Sequence, residues 1–208
     1  MAHGDDKGLN LPPKLAPYQV VIIPITPNED SSSMILESAQ KIVNEIDGDF
    51  RVHIDDRDNI SPGFKFNEWE LKGVPLRLEI GPRDIENNSV VFSRRDGVEG
   101  KFNVPISEIK NKISENLDDI HNKLLESSKI FREENTKHVE NYEALIAALN
   151  SEPGFVTCYW DENSSDEDRV KQETKATLRC YVLDHDKTGK AVNNENAQGK
   201  LAIFSKAY

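Results

Sequence analysis

The sequence is poor in cysteine, short of positive charge and without a long apolar run, and each shortage narrows what the chain can be. Two cysteines in 208 residues, Cys158 and Cys180, cannot build a disulfide framework. Both lie in strand-like runs and read as buried thiols of a cytoplasmic protein. No stretch approaches the ~18 apolar residues of a membrane span, and no signal-peptide pattern opens the chain. Against 26 basic residues stand 37 acidic ones, a net charge of −11 that argues against a general nucleic-acid or membrane binder. No internal repeat is present. Aromatics make up only 7% of the residues, so Phe64, Phe66 and Trp69 within six positions mark a place of interest.

That place is residues 61–84, SPGFKFNEWELKGVPLRLEIGPRD. Pro62-Gly63 opens a turn and a short helix. Val74, Leu76, Leu78 and Ile80 alternate at period two, predicting a half-buried strand with Arg77 and Glu79 on its other face. Gly81-Pro82 ends the strand with Arg83 and Asp84 at its tip. Residues 57–101 carry 8 basic and 8 acidic side chains, so the acid excess lies elsewhere and a polyanion could dock here by selective contacts. Aromatics beside Arg and Glu at a strand edge suit single-stranded bases, which are stacked and then read on their edges.

Around this stretch, residues 18–25 (YQVVIIPI) read as a central strand. Ile35, Leu36, Ala39, Ile42, Val43 and Ile46 mark one face of a helix. Residues 50–54 and 90–92 read as further strands, and Arg94-Arg95 begins a basic turn after the second of them. The β-α-β alternation implies a mixed or parallel sheet flanked by helices. Pro105 opens a long helix to about Phe131, its stripe formed by Ile106, Ile109, Ile113, Leu117, Ile120 and Leu124; at 1.5 Å per residue it spans about 40 Å. Beyond it, residues 139–149 predict a helix, 155–160 and 176–183 strands, 166–174 a charged helix, and 201–204 a last strand. Residues 188–199 read as a polar, mobile loop. Met1 to Pro13 shows no periodicity; His3, Asp5 and Asp6 could be taken for a metal cluster, but the segment reads as a solvated linker.

The order of residues in 61–84 resembles the anticodon-binding domain of the prolyl-tRNA synthetase family in its archaeal/eukaryotic-like form, and the likeness extends over essentially the whole chain. The resemblance implies an α/β fold: a class IIa anticodon-binding domain with a mixed, roughly five-stranded sheet, then a long helix and a small α+β C-terminal domain. The implied division is 1–16 linker from the catalytic domain, 17–104 anticodon-binding domain, 105–136 connecting helix and 137–208 C-terminal domain. It implies recognition of proline tRNA by a part of an enzyme that joins proline to tRNA with ATP and Mg. None of the class II catalytic motifs lies in these residues, so the expectation is a part without catalytic residues or cofactor, inactive alone, from a homodimeric parent. On the family's pattern Phe66 stacks on a base, Glu70 reads a guanine edge, and Arg77 and Arg83 contact base or phosphate. Lys65 and Lys72 touch phosphates or are merely solvated; Arg94, Arg95 and Lys101 are weaker candidates on charge alone. Trp69 reads as core. Guanine, with donors at N1 and N2 and acceptors at O6 and N7, suits a site holding both a carboxylate and an arginine.

The family's C-terminal domain often carries four zinc-binding cysteines. Here the matching positions are Asp161, Asp166, Ala191 and Asn194, so zinc is not expected. Apolar packing among Phe155, Val156, Tyr159, Trp160, Leu178, Tyr181, Leu201 and Phe204 would hold the domain instead. The terminal Tyr208 is expected to form a loose tail. A different class of function, an independent protein-interaction or ligand-binding module on the same fold, is the alternative; retention of Phe66, Glu70, Arg77 and Arg83 together disfavours it. A threonyl, histidyl or glycyl sibling is disfavoured by GVPLRLEIGPRD and the terminal tyrosine.

Overall fold

The computed structural model describes residues 3–26, 29–46, 48–98, 100–151, 153–162, 164–183 and 185–207. Tyr208 lies outside them. The chain forms two compact units, Met1–Glu126 and Ser127–Tyr208.

In the first unit a five-stranded sheet runs β4-β3-β5-β6-β7, from β3 (Val20–Pro24), β4 (Val52–Ile54), β5 (Leu76–Ile80), β6 (Ser89–Arg94) and β7 (Lys101–Pro105). β3 pairs in parallel with β4 and β5; β5, β6 and β7 are antiparallel. The continuous apolar run of β3 follows from its central place, where both faces are covered. One face of the sheet packs Val20, Ile22, Leu76, Leu78, Ile80, Val90, Phe92 and Val104 against α1 (Glu29–Ile46) and the first turns of α4 (Ile109–Glu134). The other face receives α2 (Pro62–Leu71), whose Trp69 joins Val21, Ile23 and Val74. The short α3 (Pro82–Glu86) follows β5.

Two expectations fail here. Residues 101–105 form a strand rather than leading into a helix; Pro105 ends that strand, a single 3-10 turn (Ile106–Glu108) follows, and α4 starts at Ile109. Ile109, Ile113 and Leu117 bury themselves in the first core, so this part of the helix packs within the first unit, which ends at Glu126. The N-terminal segment is no solvated linker: β1 (Gly4–Asp5) and β2 (Gly8–Leu9) pair as a small hairpin, and Pro12, Pro13 and Ala16 are buried.

The second unit carries a sheet in the order β10-β12-β9-β8, from β8 (Thr136–His138), β9 (Phe155–Trp160), β10 (Ala176–Tyr181) and β12 (Gln198–Lys206), with β11 (Gly189–Lys190) also paired to β12. α5 (Tyr142–Ser151) and α6 (Ser164–Thr174) contribute Leu145, Leu149 and Val170 to a core with Val156, Cys158, Trp160, Ala202 and Phe204. Phe155, Tyr159 and Leu201 lie on the opposite face by strand alternation, so they are not part of that packing. Residues 188–199 are tied down by β11 and by buried Ala191 and Val192. Cys180 is exposed, contrary to expectation, because a bulge between Leu178 and Cys180 shifts the strand's alternation and turns the thiol outward.

Candidate nucleic-acid interface

The interface is built on a buried carboxylate. Asp55 follows β4 at 1% exposure, and α2 is fastened to it. Trp69 Nε1 donates to Oδ2 at 2.8 Å, Arg57 donates from Nε to Oδ1 at 2.8 Å and from Nη2 to Oδ2 at 2.6 Å, and Lys65 Nζ donates to the Asp55 carbonyl at 3.0 Å. Burial by itself would raise the Asp55 carboxyl; the hydrogen bonds from Arg57 and Trp69 and the nearby Lys65 charge outweigh it and hold the group well below the usual carboxylate range. Lys65 is therefore corrected from phosphate contact to structural anchor: it is 4% exposed and 3.8 Å from Asp55 Oδ1. Trp69 is 6% exposed and serves as core. Lys72, at the C-cap of the helix, is exposed; its Nζ lies 2.7 Å from Glu68 and 4.4 Å from the Trp69 ring centre.

Beyond α2 the sheet face lies open over β5, β6 and β7. Register places Arg77, Ser93 and Lys101 in one row across the strands, and Glu79, Val91 and Asn103 in the next. Lys101 and Asn103 are exposed, and Ser93 and Val91 half-buried. Phe66 stands at the edge of this face with the Arg77 guanidinium 4.4 Å and Lys101 Nζ 4.7 Å from its ring centre. Arg77 donates from Nε to Glu79 at 3.1 Å and from Nη2 to Ser93 Oγ at 3.0 Å. Glu79, 4% exposed, takes Lys101 Nζ on its other oxygen at 2.7 Å. An aromatic ring, a fixed guanidinium and a half-open row of polar groups thus share one surface, the arrangement that stacks a base and hydrogen-bonds its edge.

Glu70 and Arg77 line one small cleft with Ser93 and Arg95, about 60 Å³ in volume, on the same side of the sheet. Four of the expected residues, Phe66, Glu70, Arg77 and Lys72, are therefore gathered around the C-terminal half of α2 and the start of β5. Arg83 stands apart on α3, exposed, its side chain without a hydrogen bond or ion pair among the described residues. Sequence reasoning missed Glu79, which the period-two pattern had placed beside Arg77 without a role, and Asp55, which no local pattern reveals. Arg95, a weak candidate on charge alone, is 7% exposed and grips Asp5 through both terminal nitrogens at 3.0 and 2.6 Å. Arg94 is likewise buried, held by Asp96, Asn116 and Asp119. Neither is free to meet a phosphate.

A family model described as the anticodon-binding domain matches residues 19–116, which contain this whole face, and a model of the prolyl-tRNA synthetase C-terminal domain matches residues 142–208. The chain belongs to the prolyl-tRNA synthetase family. Its relatives include the proline–tRNA ligases of Roseiflexus sp. (strain RS-1), 45% identical over 211 residues, and of Natranaerobius thermophilus, 42% identical over 210 residues; each alignment covers 100% of this chain. The crystal structure of prolyl-tRNA synthetase from Cryptosporidium parvum, complexed with L-proline and AMP, is 38% identical with a TM-score of 0.85. The chain spans 43–44% of the length of these relatives, so it corresponds to the anticodon-binding and C-terminal domains of a prolyl-tRNA synthetase.

The family's zinc positions do not fit a metal in this chain. Asp161, Asp166 and Asn194 are brought close, but by amides rather than around a common centre. Asn193 Nδ2 donates to the Asp161 carbonyl at 2.9 Å and to Asp166 Oδ2 at 3.0 Å, while its Oδ1 accepts from the Asp161 backbone at 2.9 Å. Asn194 Nδ2 donates to Asp161 Oδ2 at 2.9 Å. Ala191, the fourth position, is buried and offers no donor atom. Among the described residues no group of three or more His, Cys, Asp or Glu could hold a metal ion. No described helix is long and apolar enough to cross a membrane.

Proposed function

We propose that this chain recognises the anticodon of proline tRNA on the open face of its first unit, as part of an enzyme that joins proline to that tRNA with ATP. The observation that carries the reading is the Phe66 ring held against Arg77 on a surface shared with Glu70. Phe66 stacks on an anticodon base. Glu70 accepts from the N1–H and N2–H of a guanine, and an Arg77 nitrogen left over from Glu79 and Ser93 donates to an acceptor edge or a phosphate. Arg83 and Lys72 contact the backbone on either side. Proline anticodons carry two guanines, and the pairing of a carboxylate with an arginine suits that base. Adenylate formation requires the ATP site of the remaining part of the enzyme, so the chain alone is inactive. The second unit folds without zinc, with the Asn193–Asn194 clasp joining the segments that the metal would have joined.

The test is a titration of proline tRNA and of the same tRNA with both anticodon guanines replaced. Affinity for the native tRNA should be greater by about 1–3 kcal/mol for each base-specific pair lost. Glu70→Gln should weaken the native tRNA more than the substituted one, and Phe66→Ala should weaken both. Equal affinity of the wild-type chain for the two tRNAs would refute the reading.

A further inference from the structure

The N-terminal hairpin bears on the same site. Asp5, in β1, receives both terminal nitrogens of Arg95 and also the Lys7 backbone N–H at 2.9 Å. From inside this fork Arg95 Nε donates to the carbonyl of Glu70 at 3.0 Å, while its own backbone N–H donates to Pro75 at 2.9 Å. The Glu70 carbonyl lies in the last turn of α2, where it also accepts the Gly73 N–H at 3.0 Å. Gly73 adopts φ +71, and a Cβ there would come within 2.6 Å of Leu9. Gly8, at φ +128, would in turn place a Cβ 2.6 Å from the backbone of Leu71. The hairpin and the end of α2 therefore meet backbone to backbone at Leu71 and Gly73, just after Glu70, an approach only glycine permits.

We propose that Asp5 and Arg95 are positioning residues for Glu70, the hairpin serving as a clamp that fixes the direction in which this carboxylate meets a guanine edge. The inference rests on the anticodon reading above. Arg95 suits the task because its planar fork engages the Asp5 carboxylate with two nitrogens and still has Nε for the Glu70 carbonyl; a lysine, with a single donor nitrogen on a flexible stem, cannot reproduce this rigid three-nitrogen geometry. Lys7 adds a looser term. Its Nζ stands 3.6 Å from Glu70 Oε1, but the side chain is 71% exposed, and such a surface pair holds little in place. A recognition group needs its supporting shell to be locked to within a fraction of an ångström, and in this structure that lock comes from a segment more than sixty residues away in sequence.

The experiment measures discrimination, the ratio of affinities for proline tRNA and for the guanine-substituted tRNA, in the full chain and in Asp5→Asn, Arg95→Lys, Glu70→Gln and the Asp5→Asn/Glu70→Gln double variant. Thermal melts followed by tryptophan fluorescence confirm that each is folded. Asp5→Asn and Arg95→Lys should each lower discrimination at least about threefold, part of the roughly 5- to 150-fold that a good base-specific pair supplies. Affinity for the substituted tRNA should stay nearly unchanged. In the Glu70→Gln background Asp5→Asn should change discrimination no further, since the group being positioned is gone. Equal losses for both tRNAs, or an undiminished effect of Asp5→Asn in the double variant, would overturn the positioning role while leaving the anticodon reading intact. Absence of discrimination by the wild-type chain would overturn both. If Asp5→Asn does not fold, Arg95→Lys, which keeps the charge balance, decides alone on the same ratio.

Discussion

Asp55→Asn is the substitution that asks most of the proposed architecture, because it changes one atom and one charge beneath the whole recognition helix. The variant retains a side chain of the same shape, and its backbone carbonyl still accepts from Lys65. It loses the charge that compensates Lys65, whose side chain is 5% exposed, and it leaves Trp69 Nε1 and Arg57 competing for a single neutral oxygen. Arg57 contributes little to the loss, since it is 38% exposed and keeps Glu68 at 2.7 Å. The weight falls on Lys65 and the indole. Removing one partner of a buried ion pair costs about 3–5 kcal/mol, and an orphaned indole N–H about 1–3 kcal/mol, so a total of at least about 4 kcal/mol is expected. The sequence has one tryptophan in each unit, so urea unfolding of a Trp160→Phe background reports the first unit through Trp69 alone. The dependence on pH has a definite sign. Because the folded-state value of Asp55 lies below its ordinary 3.8, its stabilisation is fully present above that value and is lost as pH falls through the more acidic range. The variant and the parent should therefore differ most near neutrality and converge below about pH 4. A loss below about 1 kcal/mol at pH 7 would show that α2 does not depend on the buried carboxylate.

In the native chain a thiol reagent should label one cysteine, Cys180, since burial pushes the Cys158 thiol up to about 12; both should react in urea, and rapid labelling of Cys158 in the folded chain would contradict its burial. A strong chelator should leave the Trp160 transition where it is, and dialysed protein should contain no stoichiometric zinc. Asn193→Ala should lower the stability of the second unit by about 1–3 kcal/mol through the three hydrogen bonds it removes, and a large chelator-induced fall in Tm would refute the clasp. The logarithm of tRNA affinity should fall with the logarithm of salt at a slope of about 1–2, because few cations on the face are free to release counterions; a slope of five or more would locate the binding elsewhere.

Much of the first unit could be read in the chain because its signals are local. Alternation from Leu76 to Ile80 separates Arg77 and Glu79 from Leu76 and Leu78, and the structure keeps that separation, whereas Val74, ahead of the strand, packs on the other face with Trp69. The parts that could not be read depend on distant partners. β7 has the pattern exposed, half-buried, exposed, buried, exposed, which is weak by itself and becomes a strand only by pairing with β6. Lys65 resembles any solvated lysine until Asp55, ten positions earlier, is found beneath it. Asp5 and Arg95 are separated by 90 positions, so nothing near Met1 announced a packed hairpin. Cys180 shares the parity of Ala176 and Leu178, and only the bulge, a tertiary feature, separates it from the core.

The charge arrangement bears on how an acidic chain could present the proposed RNA-binding face. Of the eight cations between residues 57 and 101, Arg57 is paired with Asp55 and Glu68, Lys65 with Asp55, Lys72 with Glu68, Arg77 and Lys101 with Glu79, Arg94 with Asp96 and Asp119, and Arg95 with Asp5. Arg83 alone makes no such pair among the described residues. Internal pairing removes most of the long-range attraction that a basic patch would offer, and with it most of the sequence-independent affinity. What it leaves is geometry: Phe66 under a guanidinium whose direction Glu79 and Ser93 fix, and Glu70 held at the end of a helix fastened from below by Asp55. Such a surface attracts any RNA weakly and favours one whose bases satisfy a carboxylate and an arginine at set positions. If the face reads an anticodon as proposed, that division of energy places the discrimination in the base contacts, where a wrong partner leaves buried polar groups unmatched.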